Sequence, residues 1–271
     1  APLAAQISGA CEGPGVHPAT VRIPFDMPTQ RSWTAGVVRE VLPNGLTLLV
    51  QREPSAPAVA VVTHVKAGFF DEPDRWGGIS HVLEHMFFKG TPTRGVGEVA
   101  RQTKAAGGYL NAGTAYDYTT YHGTLPADQL ETALDIQADA LQHANLDREE
   151  LARELQVIIQ EAKRKLDSPG ALAHETLHEV LFDRHRIRRW RIGTESALAG
   201  FTREDVAGYY ESRYVPDRTI VAIVGDVDPA EALPAEVDVL IVGCGPAGLV
   251  LAAQLAAFPD IRTRIVDRRP G

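Results

Sequence analysis

Cysteine is nearly absent. Cys11 and Cys244 are the only two in 271 residues, and they lie far apart in the chain. They support neither a disulfide framework nor a Cys-rich metal site. Long apolar runs are missing too: no stretch reaches the roughly 18 residues that a membrane-spanning helix needs. Basic charge is not in excess. The formal net charge of -8 argues against a nucleic-acid partner, because phosphate binding calls for clustered Lys and Arg. The run Arg184 to Arg191 is the local exception and reads as a solvated or substrate-facing loop. No internal repeat is evident. Ala1 to Ala10 lacks the charged-then-apolar layout of a secretory signal. Periplasm and cytoplasm both fit this composition. With hydrophobic residues at 44%, an ordinary core needs neither disulfide nor metal to form.

What is present falls into three segments. Residues 1–35 are rich in Pro and Gly, show no sustained period, and read as an extended or poorly ordered lead-in. Residues 36–233 carry strands first and helices afterwards. Val37 to Val50 alternates around the turn signal Pro43-Asn44-Gly45, and Ala58 to Lys66 is a β-branched strand. Ile79 to Lys89 and Gly97 to Ala106 read as short helices, the second stopped by Gly107-Gly108. Tyr109 to Thr114 and Tyr118 to Leu125 form a strand pair. Helices follow over Ala127 to His143, from the cap Asp147 to Leu166, and from Ser168-Pro169 to Phe182. Thr202 with Asp205 makes a capping box for a fourth, and Thr219 to Gly225 is a last strand. The pattern is α+β, an antiparallel sheet with helices packed on it. A boundary is expected within Ala232 to Glu236, beyond which residues 237–271 read strand, glycine turn, helix, strand.

The chemistry is concentrated in His81-Val82-Leu83-Glu84-His85. On a helix, positions i and i+4 share a face, so the two imidazoles can close on one tetrahedral Zn²⁺. Glu84 lies on the same face, where its carboxylate can reach a metal-activated water. A catalytic zinc needs a third protein ligand and an open position. Glu161 is the candidate ligand, on the helix that starts after Asp147. Glu154 lies two turns earlier on the same face, so one of the two can bind metal while the other orients a histidine. A rival exists: His174-Glu175-Thr176-Leu177-His178 is literally HExxH. Glu179 directly follows it, and its only possible third ligand, Glu195, sits beyond a loop and the Gly193 break. His17, His64, His122, His143 and His185 have no paired spacing and read as surface or core residues.

Over residues 36–231 the chain resembles the pitrilysin/insulinase family, zinc peptidases with an inverted HxxEH signature. The likeness rests on His81 to Thr91, on Gly107 to Thr114 with Tyr118 to Tyr121, on the pair Glu154 and Glu161, and on Tyr214 to Arg218 with Val224 to Val227. It implies a zinc endopeptidase acting on peptides or unfolded segments. Glu161 is then the third ligand beside His81 and His85, Glu154 stands behind the ligands, and Glu84 is the base. It further implies that the strand carrying Gly108, Asn111 and Ala112 receives substrate by main-chain pairing. A second pitrilysin-like domain or subunit is expected as partner, because such proteins enclose substrate between two halves. Without it, the chain would be a non-catalytic zinc-binding half.

Residues 237–271 depart from that pattern. Gly243, Gly245 and Gly248 follow a β-run, and Asp267 ends the next strand. This resembles the opening of FAD-dependent monooxygenases, a Rossmann-type βαβ unit. One such unit cannot bury a dinucleotide, so no useful FAD affinity is expected and an oxidoreductase fragment is the weakest reading. The junction looks like two unrelated coding segments, the second one truncated.

Overall fold

The computed structural model describes residues 34–232, 239–242 and 263–266. Gly243, Gly245, Gly248 and Asp267 lie outside them, as do the lead-in through residue 33 and most of the expected boundary. Among the described residues no helix is long and apolar enough to cross a membrane.

Six strands make one sheet in the order β1-β2-β6-β3-β5-β4. They are β1 (Val38–Val41), β2 (Thr47–Arg52), β3 (Ala58–Val65), β4 (Tyr109–Thr114), β5 (Thr119–Pro126) and β6 (Thr219–Gly225). The β1–β2 turn forms where Pro43-Asn44-Gly45 predicts it. Gly45 has φ +92°, and its N–H donates to the Leu42 carbonyl. Burial alternates along β3, with every second residue covered, as a strand covered on one face requires.

The sheet is not wholly antiparallel: β2 and β6 run parallel, Thr47 opposite Ile220. All helices of the helical layer except a final short turn lie between these two strands in sequence. A connection that long can return a strand in either direction, whereas a hairpin can only reverse it.

The helices are α1 (Ile79–Met86), α2 (Glu98–Ala105), α3 (Leu130–Gln142), α4 (Arg148–Leu166), α5 (Pro169–Leu181), α6 (Glu195–Ala199), α7 (Arg203–Arg213) and α8 (Pro229–Ala232). The caps read in the sequence are in place. Asp147 accepts from the N–H groups of Glu149 and Glu150, Ser168 caps α5, and Thr202 with Asp205 closes a full capping box. Two expected helices are shorter than their patterns. Residues 127–129 form a 3₁₀ turn before α3. After Met86 the chain tightens, with Phe88 and Lys89 donating to carbonyls three residues back. The short α6 and the 3₁₀ turns had no periodic signal.

At eight residues α1 is too short to be stable alone. Its Ile79, Val82, Leu83 and Met86 are buried in one cluster with Leu151, Leu155, Ile158 and Ile159 of α4 and Val206 and Tyr209 of α7. Packing therefore fixes α1 against α4. The remaining strands among the described residues, β7 (Val239–Val242) and β8 (Thr263–Val266), pair in parallel, Val239 opposite Thr263.

Candidate metal centre

Two helices build the site. On α1, His81 and His85 place their Nε2 atoms 3.2 Å apart. From α4, Glu161 brings its Oε2 to 3.8 Å from each Nε2. Among the described residues this is the group of three potential metal donors that converges, all within 4.8 Å of one another. Four ligands at zinc's bond lengths of roughly 2.0–2.2 Å in a tetrahedron sit about 3.3–3.6 Å from one another. The triangle, with edges of 3.2, 3.8 and 3.8 Å, is within a few tenths of an ångström of that size, and its donor set of two imidazoles and one carboxylate suits zinc. His81 is also prepared electronically. Burial is the main cause that pulls its pKa down to about 3, with the neighbouring His85 and Lys165 adding to it, so its imidazole is neutral at physiological pH. Its Nδ1 is buried without a hydrogen-bond partner, and Nε2 is the atom turned to the site.

Behind the three converging donors stands Glu154, two turns before Glu161 on α4. Its Oε1 lies 2.9 Å from His85 Nδ1 and its Oε2 is 2.5 Å from Lys89 Nζ. A carboxylate at Nδ1 favours the tautomer that keeps the proton there and frees Nε2 for a metal. Burial works to raise the Glu154 pKa, but the hydrogen bonds from Lys89 and His85 prevail and hold it below the usual carboxyl range. Glu84 is raised instead: burial dominates over the opposing Thr114 hydrogen bond and the neighbouring His85. A carboxylate destabilised in this way is the more ready to accept a proton.

The N-terminus of α1 is held by a residue that no periodic or motif signal marked. Glu72 is 4% exposed and accepts from the N–H of Gly78 at 2.8 Å and of Ser80 at 2.9 Å. It satisfies two donors that a helix start leaves open, in place of a cap side chain that Gly78 lacks. Gly78 has φ +95°, and a Cβ there would meet the Ile192 carbonyl at 2.5 Å. The Ser80 and Tyr209 hydroxyls are 2.8 Å apart. Lys89 and Thr114 escaped the sequence reading for the same reason, since their partners are distant in the chain. An acidic residue just ahead of a glycine-capped helix was the one available clue to Glu72.

The rival motif sits on α5. The His174 and His178 rings are 4.4 Å apart, but Glu175 between them is buried and accepts two hydrogen bonds from Arg191. Glu195, the carboxylate considered beside it, pairs with Lys163 at 2.8 Å. Much of the basic run is likewise engaged. Arg186 binds the carbonyls of Phe70 and Glu72, and Arg189 pairs with Asp74.

Gly108, Asn111 and Ala112 lie on or beside β4, which ends the sheet and pairs only with β5. Among the described residues no strand pairs with its outer edge. There the Asn111 side-chain carbonyl accepts from the Ala112 N–H at 2.9 Å. A Cβ at Gly108 would meet Leu125 Cγ at 2.4 Å, so the strand enters the sheet in close contact with β5.

Comparison with known proteins agrees with this architecture. The profile described as "Insulinase (Peptidase family M16)" matches residues 47–195, and that of the M16 inactive domain matches residues 200–239. An uncharacterized zinc protease of Bacillus subtilis is 32% identical over 191 residues, covering 70% of this chain and 47% of the relative. One from Mycobacterium leprae is 33% identical over 198 residues, covering 73% and 44%. A crystal structure of a Helicobacter pylori protease superimposes with a TM-score of 0.70 at 24% identity, over 87% of this chain and 53% of that one, a likeness of fold. The chain spans less than half the length of these two curated relatives. The HxxEH helix, the mixed sheet and the matched profile converge on one conclusion: the chain belongs to the insulinase family of peptidases, family M16.

Proposed function

We propose that the chain is the catalytic half of a zinc-dependent endopeptidase, with His81, His85 and Glu161 as ligands and Glu84 as general base. The convergence of two imidazoles and a distant carboxylate within 4.8 Å carries this reading. A Zn²⁺ held there would acidify water and polarise the scissile carbonyl. The chain's own residues supply the rest. Glu84 takes the proton of the attacking water and returns it to the leaving amine. Glu154 orients His85. The outer edge of β4 takes the peptide as an added strand, so recognition reads extended backbone and favours unfolded segments. We assign residues 237–271 no part in this chemistry.

The relatives' greater length supports the further proposal that turnover needs a second domain or partner subunit. It equally favours a second reading, in which this chain is a zinc-binding half without turnover of its own. Zinc analysis combined with cleavage of an unfolded protein, with and without a partner chain, separates the two. Glu84→Gln is the direct test. It should keep bound zinc and lose about 10²- to 10⁴-fold in hydrolysis; undiminished cleavage would remove Glu84 from the mechanism.

A further inference from the structure

Glu84 is tied to the edge strand. Thr114, the last residue of β4, donates its hydroxyl proton to Glu84 Oε2 at 2.5 Å. Thr114 is itself rigidly supported. The turn that follows it is anchored by backbone bonds from Phe69 to Ala115 and from Phe70 to Tyr116. Opposite Thr114 in the β-ladder, buried Thr119 donates to the Ala67 carbonyl at 2.9 Å. Gly68 packs so closely on this turn that a Cβ would sit 2.5 Å from the Ala115 oxygen.

We propose that Thr114 is the positioning residue of the base. Its hydroxyl fixes one oxygen of Glu84 and leaves the other to take the proton. It also joins the base to the strand that receives substrate, so that peptide docking and base alignment share one rigid element. The proposal rests on the assignment of Glu84 above. A glutamate carboxylate at the end of three rotatable bonds gains from such a clamp, because a misplacement of about 1 Å costs on the order of 10²-fold in rate. Support from a strand is also more exact than support from a loop.

The test compares Thr114→Val, which keeps the shape and loses the donor, with Thr114→Ser, which keeps the donor. Both are measured beside wild type and Glu84→Gln in the preparation in which wild type cleaves. Thr114→Val should lose about ten- to a hundredfold in kcat while Thr114→Ser stays within about threefold of wild type. KM and bound zinc should not change. A crystal structure of the valine variant should find the Glu84 carboxylate displaced from its wild-type position. Full kcat in Thr114→Val, a change in KM alone, or an unmoved Glu84 would overturn the proposal while Glu84→Gln remained inactive. Equal cleavage by wild type and Glu84→Gln would overturn the base assignment and this proposal together.

Discussion

Glu154 Oε1 lies 2.9 Å from Nδ1 of His85, while its other oxygen is held by Lys89. The carboxylate therefore stands between two donors. Only a group that accepts at both ends satisfies both. In Glu154→Gln, one end becomes a donor and must face either the imidazole N–H or the ammonium. The expected result is a loss of about 10- to 100-fold in zinc affinity, read by competition with a chromogenic chelator. Adding Lys89→Met should recover part of that loss, because the amide could then turn its nitrogen away from His85. No recovery in the double variant would show that Lys89 does not act through Glu154.

The two His-containing helices make opposite predictions for metal binding. His174→Ala and His178→Ala should leave the zinc content unchanged, because among the described residues no third donor converges on those two rings and Glu195 is paired with Lys163. His81→Ala should remove the zinc, since only one imidazole and Glu161 would remain. Zinc per chain after dialysis against a weak chelator decides the matter. Loss of zinc in the α5 variants would move the centre to the HExxH helix.

Much of this site was legible because its determinants are local. The i, i+4 histidines need only helical geometry, and the caps at Asp147, Ser168 and Thr202 are read over three residues. Glu154 and Glu161 share a face of α4 by period alone. The choice between them as ligand rested on family resemblance, since nothing local says which turn of α4 meets α1. Sheet order was not legible. The parallel β2–β6 pairing depends on how the helical layer returns the chain, and alternation in β6 is the same whichever way it runs. Thr114, Lys89 and Glu72 were missed because each acts through a contact made only after folding.

Glu72 gives a pH prediction. Burial raises its pKa from the usual 4.5 to about 7, against the opposing backbone hydrogen bonds from Gly78 and Ser80. The folded state thus holds the proton more tightly than the unfolded chain. The stabilisation is full below about pH 4.5 and is lost as pH rises through about 7, a change of roughly 3 kcal/mol. Glu72→Gln does not titrate; its amide nitrogen cannot accept from one of the two N–H groups, a cost independent of pH. In urea melts of metal-free protein, the stability of wild type relative to this variant should fall between pH 4.5 and 7.5. A constant difference over that range would mean that Glu72 is ionised throughout and caps α1 as a carboxylate.

The edge strand offers the last test. In the free protein the outward N–H of Ala112 is covered by the Asn111 side chain. A peptide adding to β4 would take that donor over, displacing a contact between adjacent residues. Ala112→Pro deletes the N–H, and an edge strand tolerates proline when the missing donor faces outward. Each backbone hydrogen bond is worth about 0.5–1.5 kcal/mol net, so KM should rise by roughly two- to twelvefold. The metal triangle is built from α1 and α4 and should keep its zinc, while thermal melts verify that the sheet is intact. An unchanged KM in a folded, zinc-loaded Ala112→Pro variant would place the substrate off this edge, because main-chain pairing cannot survive the loss of its donor without cost.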